Sequence, residues 1–395
     1  MAGPGTGTAA GLPSQSVDDR SDEAGPFASG RRMGLVDPEG QGRKFSIPDI
    51  LDSESDSLGS MLGLWSDGNG SYQPPVIGDQ SPFLPAGFRQ PKVGAALSTN
   101  PAAALRPGSS LLFKLAGLKI SDNQSPLPQD RVFYSFNYFD NVNAVINQRL
   151  GGNISNVNVY HNLFGIEKTF FGGDSSLGIR VPLDHITYDT TYHGFGNQGT
   201  ALDDLSVFWK QVLLRNTETG SARSGGLDVR APSGPGAFAG SPLFKTANPA
   251  VIQPFLGYFL SRDRWFFQGF SSIAVPTSVH SSSTLIFNDL CLGYYLYRAP
   301  EPERWISAII PVLETHVNTP VGYVGYNVND PRGVPNVVDM TFGTHLQFGS
   351  RSLLTLAYVD PVTGPRPFNG EFALFFNYFY GGSRRQAPRP YPPTL

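Results

Sequence analysis

Residues 337–348, VVDMTFGTHLQF, alternate between two kinds of side chain. Val338, Met340, Phe342, Thr344, Leu346 and Phe348 form a largely apolar set; Val337, Asp339, Thr341, Gly343, His345 and Gln347 form a polar or small one. Successive side chains of a strand point to opposite faces, so this is a strand with one apolar and one polar side. It is longer than the usual soluble strand of about five or six residues. It is close to the roughly 9–11 tilted residues that cross a bilayer.

The pattern recurs. Strands are predicted at 131–140, 156–171, 176–184, 204–214, 226–231, 250–261, 264–275, 284–297, 304–316, 337–348, 352–360 and 371–380. In 131–140, Val132, Tyr134, Phe136 and Tyr138 share a face; in 176–184, Leu177, Ile179, Val181 and Leu183 oppose Ser176, Gly178, Arg180 and Pro182. Segments 250–261 and 264–275 are aromatic on both faces, and Pro311 leaves 304–316 ambiguous.

The connections alternate too. Longer ones (141–155, 185–203, 232–249, 276–283, 317–336, 361–370) each precede a shorter one (171–175, 215–225, 262–264, 299–303, 349–351), apart from the last. A two-sheet sandwich has no reason to keep that order. A membrane barrel has short turns at one rim and longer loops at the other. So many apolar faces exceed the few hundred Å² that a soluble monomer exposes. In hydrocarbon every strand edge must be paired, so the sheet must close. The expectation is an all-β fold: a closed antiparallel up-and-down transmembrane β-barrel of about twelve strands over 109–382. Its polar lumen is modest, constricted by inward loops or by the N-terminal segment.

The flanks differ in texture. Residues 1–108 are expected to be disordered and low in complexity. Within them Ile47, Ile50, Leu51, Leu58, Met61 and Leu62 allow a short helix over 48–64, either a plug or docking segment or a transient helix, and 66–108 reads as linker. SLLFKLAGLKI (110–120) is a strand or short helix, and SDNQSPLPQD after it a Pro-broken turn. Residues 383–395 form a Pro/Arg-rich tail. MAGPGTGTAAGLPSQS has no basic start and no apolar core, so it does not read as the signal peptide that an exported barrel needs.

Composition narrows the function. A net charge of −3 leaves no electrostatic footprint for nucleic acid. The mean hydropathy is −0.17 and there is no long apolar run, which excludes a bundle of membrane helices. Cys291 is the only cysteine, so no intrachain disulfide or multi-cysteine metal site forms. By strand parity Arg180, Lys210, Asp228, Arg230, Asp289, Asp339, His345 and Glu371 oppose the apolar set and line the lumen, where charges tune selectivity. Both signs occur, so no strong ion preference follows. Tyr134, Tyr138, Trp265, Tyr297, Trp305, Tyr378 and Tyr380 suit aromatic girdles at the membrane–water interfaces.

Nothing points to catalysis or a cofactor. There is no HExxH motif and no phosphate loop. The histidines are scattered, without ligand spacing. His280-Ser281-Ser282-Ser283 reads as a polar loop, not part of a catalytic triad. No metal and no enzymatic activity are expected.

The segments KISDNQSPLPQDRVFYSFNYFDNVN (119–143) and LFGIEKTFFGGDSSLGIRVPL (163–183) resemble a bacterial family of outer-membrane β-barrels. That family lies near the porin-like transporters associated with phenol meta-pathway degradation. IPVLETHVNTPV (310–321) is similar to a later strand and loop of the group. The resemblance implies a barrel in the bacterial outer membrane, with lipid and the barrel-insertion machinery as partners, and more loosely transport. The tail after the last strand departs from the pattern, since such barrels end on an aromatic residue. The expected function is a porin-like channel for passive diffusion of small solutes, as a monomer or homo-oligomer. The alternatives are a structural or adhesion barrel with a plugged lumen, whose loops 185–203 and 317–336 bind a partner, and a soluble β-sandwich binding protein.

Overall fold

Alternation over many segments becomes twelve long strands in the computed structural model. It describes residues 72–79, 111–112, 119–145 and 154–380, with breaks at 192–193, 195, 217–218, 246–248, 279–283, 302, 322–335 and 365. The helix expected over 48–64, the His280 loop and the tail 383–395 lie outside the described residues. The strands are β1 (Arg131–Asp140), β2 (Ile154–Phe170), β3 (Ser175–Thr190), β4 (Ser206–Arg215), β5 (Ala222–Arg230) and β6 (Val251–Arg262). Then follow β7 (Trp265–Pro276), β8 (Thr284–Tyr294), β9 (Ala308–Val321), β10 (Val337–Phe348), β11 (Ser352–Pro361) and β12 (Gly370–Phe379).

Each strand pairs antiparallel with its neighbours in sequence. β12 pairs with β1, from Gly370↔Asp140 to Phe379↔Arg131, so the sheet closes. The fold is an up-and-down barrel without a free edge, the form that satisfies every backbone group of a β-structure in lipid. Among the described residues no helix is long and apolar enough to cross a membrane.

Every predicted strand is present, and the differences lie at the ends. β3 continues to Thr190 because Ile186 and Tyr188 keep facing in while His185 and Thr187 face out. A short strand, Gln198–Leu202, folds back onto it from Thr187 to Leu183. β9 starts later and runs longer than expected. Its pairing with β8 stops at Val312, so Pro311 stands where that ladder has ended. Short turns at 171–174, 216–221, 263–264 and 349–351 share one rim with Arg131 and Phe379. Asp263 and Gly349 take left-handed φ (59° and 57°) in the two tight hairpins. The 295–307 connection is longer than expected and carries a two-residue strand, Tyr297–Arg298, paired with β9. The strand ends that flank 141–153, 191–205, 231–250, 277–283, 322–336 and 362–369 share the other rim.

The faces are inverted relative to a soluble protein. Leu177, Ile179, Val207, Trp209, Leu256, Leu292, Phe342 and Phe376 are exposed on the outside. Arg131, Glu167, Arg180, Lys210, Asp289, Glu314 and His316 are fully buried inside. In water this arrangement is unfavourable twice over; across a bilayer it is the expected one. The parity left open for β6 and β7 is settled: Phe255, Phe259, Phe266 and Phe270 point in, while Leu256, Leu260 and Trp265 point out.

The interior is not uniformly polar. Five inward phenylalanines stand directly across the ladder from glycines: Phe133↔Gly165, Phe208↔Gly178, Phe255↔Gly226, Phe266↔Gly293 and Phe270↔Gly257. Across the β1–β2, β3–β4 and β7–β8 ladders, a Cβ built on the glycine would fall within the opposing ring. At Gly226 it would meet the Trp209 carbonyl as well as the Phe255 ring. The rings lie over their glycines and shield the backbone from the lumen, a known way to pin strand register.

Candidate functional site: the filled lumen

Two stretches from before the first barrel strand occupy the lumen. The sequence reads 72–79 as linker, 119–120 as the end of a strand or short helix, and 121–130 as a Pro-broken turn. Both stretches are almost wholly buried, with Val76, Ile77 and Ile120 at the centre of a cluster with Phe133, Phe208, Phe255, Phe266 and Phe375. Those short apolar runs give the segments something to bury, which a solvated linker lacks.

Their paths are traced by their partners. Tyr72 stacks on Phe379 at the short-turn rim, with ring centroids 4.0 Å apart. Gln129 donates from Nε2 to the Gln73 carbonyl (3.1 Å), and Gln268 on β7 donates to the Pro74 carbonyl (3.0 Å). Val76 pairs antiparallel with Gln124. The Ile77 and Gly78 N–H groups donate to the Glu314 carboxylate on β9 (2.9 and 3.0 Å). Asp79 then meets Lys119. The second segment descends from there. The Lys119 carbonyl accepts from Arg180 on β3 (2.8 Å), the Ser125 carbonyl from Lys210 on β4 (3.0 Å), and the Pro126 carbonyl from Ser224 on β5 (2.5 Å). Buried backbone groups must find partners. Here wall side chains supply the bonds that a ladder would otherwise make.

Charge concentrates at three places. At the first, the Lys119 ammonium pairs with Asp79 and with Asp289 on β8 (2.8 Å), and donates to Asn318 Oδ1 (2.9 Å). His316 Nδ1 lies 2.8 Å from Asp289, and Asn318 Nδ2 donates to Asp79 (2.7 Å) and Asp339 (3.2 Å). Asp79, Asp289 and His316 offer ligand atoms within 4.8 Å of one another. The Lys119 ammonium stands on that set and supplies the positive charge that a metal ion would bring. At the second place, Glu167 on β2 takes Arg131 (3.0 Å), Lys210 (2.9 Å) and Ser176 (2.7 Å). At the third, Arg180 pairs with Asp228 (2.6 Å) beside Ser206.

Burial disfavours charge on the plug segments, and neighbours decide the outcome. For Asp79 the desolvation is overcome by Lys119 and His316, which hold its carboxyl well below the usual range. For Lys119 it is overcome by Asp289 and Asp79, which hold the ammonium firmly protonated. Asp122 has no such rescue. Burial, with Asp79 adding to it and Lys119 opposing, pushes its carboxyl up to about 7.

All eight residues expected to line the lumen lie on its inner face, buried. Arg180, Lys210, Asp228, Asp289 and Asp339 belong to the three clusters. Arg230 lies near the loop rim, 3.8 Å from Asp204. His345 pairs with Thr355 (2.8 Å) and Glu371 with Asn137 (2.5 Å). Among the described residues these eight do not join in one network of contacts. Of the aromatics, Trp265, Tyr297, Trp305, Tyr378 and Tyr380 lie at the short-turn rim. Tyr134 and Tyr138 lie on the outer face of β1, against Phe164 (5.0 Å) and Tyr160 (5.1 Å).

Sequence reasoning missed Asp79, Lys119, Asp122, Arg131, Glu167, Glu314, His316 and Asn318. For Arg131, Glu167, Glu314, His316 and Asn318 the signal existed, since all sit on inward parity. In β9 Pro311, which lacks a ladder N–H, interrupts that signal. For the plug residues there was no periodicity to read.

The loop rim is closed separately. Phe238, Leu243 and Phe244 of the 231–250 loop fold inward onto Phe139, Val142, Val159, Ile186, Tyr188 and Phe368. The Tyr188 and Ser241 hydroxyls are 2.7 Å apart.

No family model matches the chain, and no curated protein matches it. Among solved structures it is similar to an outer membrane channel from Pseudomonas putida F1, with TM-score 0.44 and 10 % identity over 66 % of this chain and 99 % of that one. It is similar to the KdgM porin, with TM-score 0.35 and 8 % identity over 62 % and 98 %. It is also similar to LpxR from Salmonella typhimurium, with TM-score 0.34 and 10 % identity over 63 % and 100 %. At these scores the likenesses fix neither substrate nor activity.

Proposed function

We propose that the protein is a bacterial outer-membrane channel for small solutes, held shut in this conformation by its own N-terminal chain. Lipid surrounds its apolar outer face, and insertion by the barrel-assembly machinery follows from that setting. The narrower kinship with the phenol meta-pathway-associated transporters rests on the segments 119–143, 163–183 and 310–321 alone. These form the descending plug segment with β1, the β2–β3 hairpin, and β9, whose Glu314, His316 and Asn318 face the plug.

The observation that carries the reading is the chemistry of the wall. Asn137 Oδ1, His345 Nε2 and Glu371 Oε2 are buried on the lumen face with no protein partner among the described residues. A purely structural barrel is better served by apolar filling, because an unpaired buried polar atom costs about 1–3 kcal/mol. Such atoms suit a lumen that exchanges its plug for water and solute. With charges of both signs on the wall, the channel passes small polar solutes without strong ion preference. The double closure, by plug and by the 231–250 loop, favours the second reading: a plugged structural or adhesion barrel.

Planar-bilayer recording separates the two. The full-length protein gives rare current steps, and a Lys119→Ala/Glu314→Ala variant, its plug contacts cut, gives frequent ones. Silence from both proteins, each folded by heat-modifiable gel migration, would leave the structural barrel.

A further inference from the structure

We propose that the N-terminal chain is threaded through the barrel from rim to rim and anchored at both ends, so that the 231–250 loop holds the plug in place from the loop side. This rests on the plug described above and deepens it by naming what controls it.

The path is fixed at five points. Tyr72, stacked on Phe379, marks entry at the short-turn rim. Asp79 lies in the loop-side half: its partner Asn318 is three residues from the end of β9 at Val321, and that residue's other partner, Asp339, is two from the start of β10 at Val337. Leu111–Leu112 pairs in parallel with Phe244–Lys245, in the middle of the 231–250 loop. Phe244 is itself fully buried in the apolar cluster that closes the loop rim. Lys119 is then back beside Asp79 and Asp289, and Asp130 is at the short-turn rim, bonded to Thr169 (2.6 Å).

A plug tied at one end leaves the lumen by being pulled out of that end. This one has a second attachment at the opposite rim. Release of the central contacts alone leaves it tethered by the Leu111–Leu112 pairing. Movement of the 231–250 loop, which carries Phe238, Leu243 and Phe244, shifts the tether and the apolar closure together. The loop rim is where a solute or surface partner first meets the barrel, so opening is controlled from that side.

Cross-linking tests this on the full chain. Strand neighbours lie about 4.7–4.9 Å apart, inside the Cα range for a disulfide. Leu112→Cys with Lys245→Cys is expected to oxidise to a faster-migrating form in most molecules. Leu112→Cys with Asp263→Cys, at the short-turn rim, is expected not to. The native Cys291 is buried in the wall and stays reduced. Failure of the first pair to close in folded barrel, or closure of the second, overturns threading whether or not the protein conducts. Control by the loop is read separately in the Lys119→Ala background. Oxidising the 112–245 pair is expected to cut open probability at least tenfold, with recovery on reduction. Unchanged openings in the oxidised protein overturn the anchoring role, whereas a Lys119→Ala protein that never conducts overturns the channel reading instead.

Discussion

Replacing Lys119 by methionine removes the ammonium that faces Asp79, Asp289 and Asn318, and keeps most of the side-chain volume. Two buried carboxylates then lose their counter-charge. Breaking one side of a buried pair typically costs about 3–5 kcal/mol. Lys119→Met is therefore expected to unseat the plug while the barrel stays closed, read as new protease cleavage next to 72–79 with unchanged heat-modifiable migration. Asp122 gives the plug a pH-dependent contact. Its carboxyl is raised from 3.8 to about 7 by burial, with Lys119, Asp79 and Arg180 as the charges that face it. A raised acid stabilises the folded state while protonated. Its contribution is full below about pH 4 and is lost as pH rises through 7. Channel openings are expected to increase from pH 5 to pH 8, and the increase is expected to flatten in Asp122→Asn. Neither residue was legible in the sequence. Lys119 bonds to partners 40, 170 and 199 positions away, and no local pattern encodes such distances.

The strands were legible because period-two patterning is a local signal imposed by having lipid on one side and lumen on the other. β1 and β10 have the predicted bounds, Arg131–Asp140 and Val337–Phe348. β3 and β9 overran theirs because the alternation persists past the first turn-like residues, Asp184 and His316, which point inward to partners. The phenylalanine–glycine pairs were not legible, since each depends on register across two strands. They make a sharp expectation. Gly178 lies under the Phe208 ring, so Gly178→Val forces the ring off its site. Overpacking of this kind costs about 1–3 kcal/mol. Gly178→Val is expected to lower the urea midpoint of the lipid-reconstituted barrel. Gly178→Val with Phe208→Ala, which makes room for the new side chain, is expected to regain part of the loss. Equal midpoints for wild type and Gly178→Val would show that the ring does not hold the register.

At the scale of the whole molecule, closure and inversion follow from one cause. A chain that exposes leucine and buries arginine is stable only where the surroundings are hydrocarbon and the interior supplies partners. The sequence showed the outward half of this through its alternation. The inward half depends on 72–79 and 119–130 filling a cavity that twelve strands enclose, and those segments carry too few apolar residues to announce it. Leu256 tests the surroundings. It lies midway along β6, points outward, and is 58 % exposed. If it faces lipid, Leu256→Arg buries a charge near the bilayer midplane at a cost of about 2–4 kcal/mol. If it faces water, the same change stays within about 0.5 kcal/mol and aids solubility. Arg298, beside the short-turn rim at the end of Tyr297–Arg298, marks the contrasting position, where a charge is already tolerated. Folding titrations in phospholipid vesicles are therefore expected to show a large loss for Leu256→Arg and almost none for Tyr297→Arg. Two near-neutral substitutions would place the outer face in water and remove the physical reason for the sheet to close.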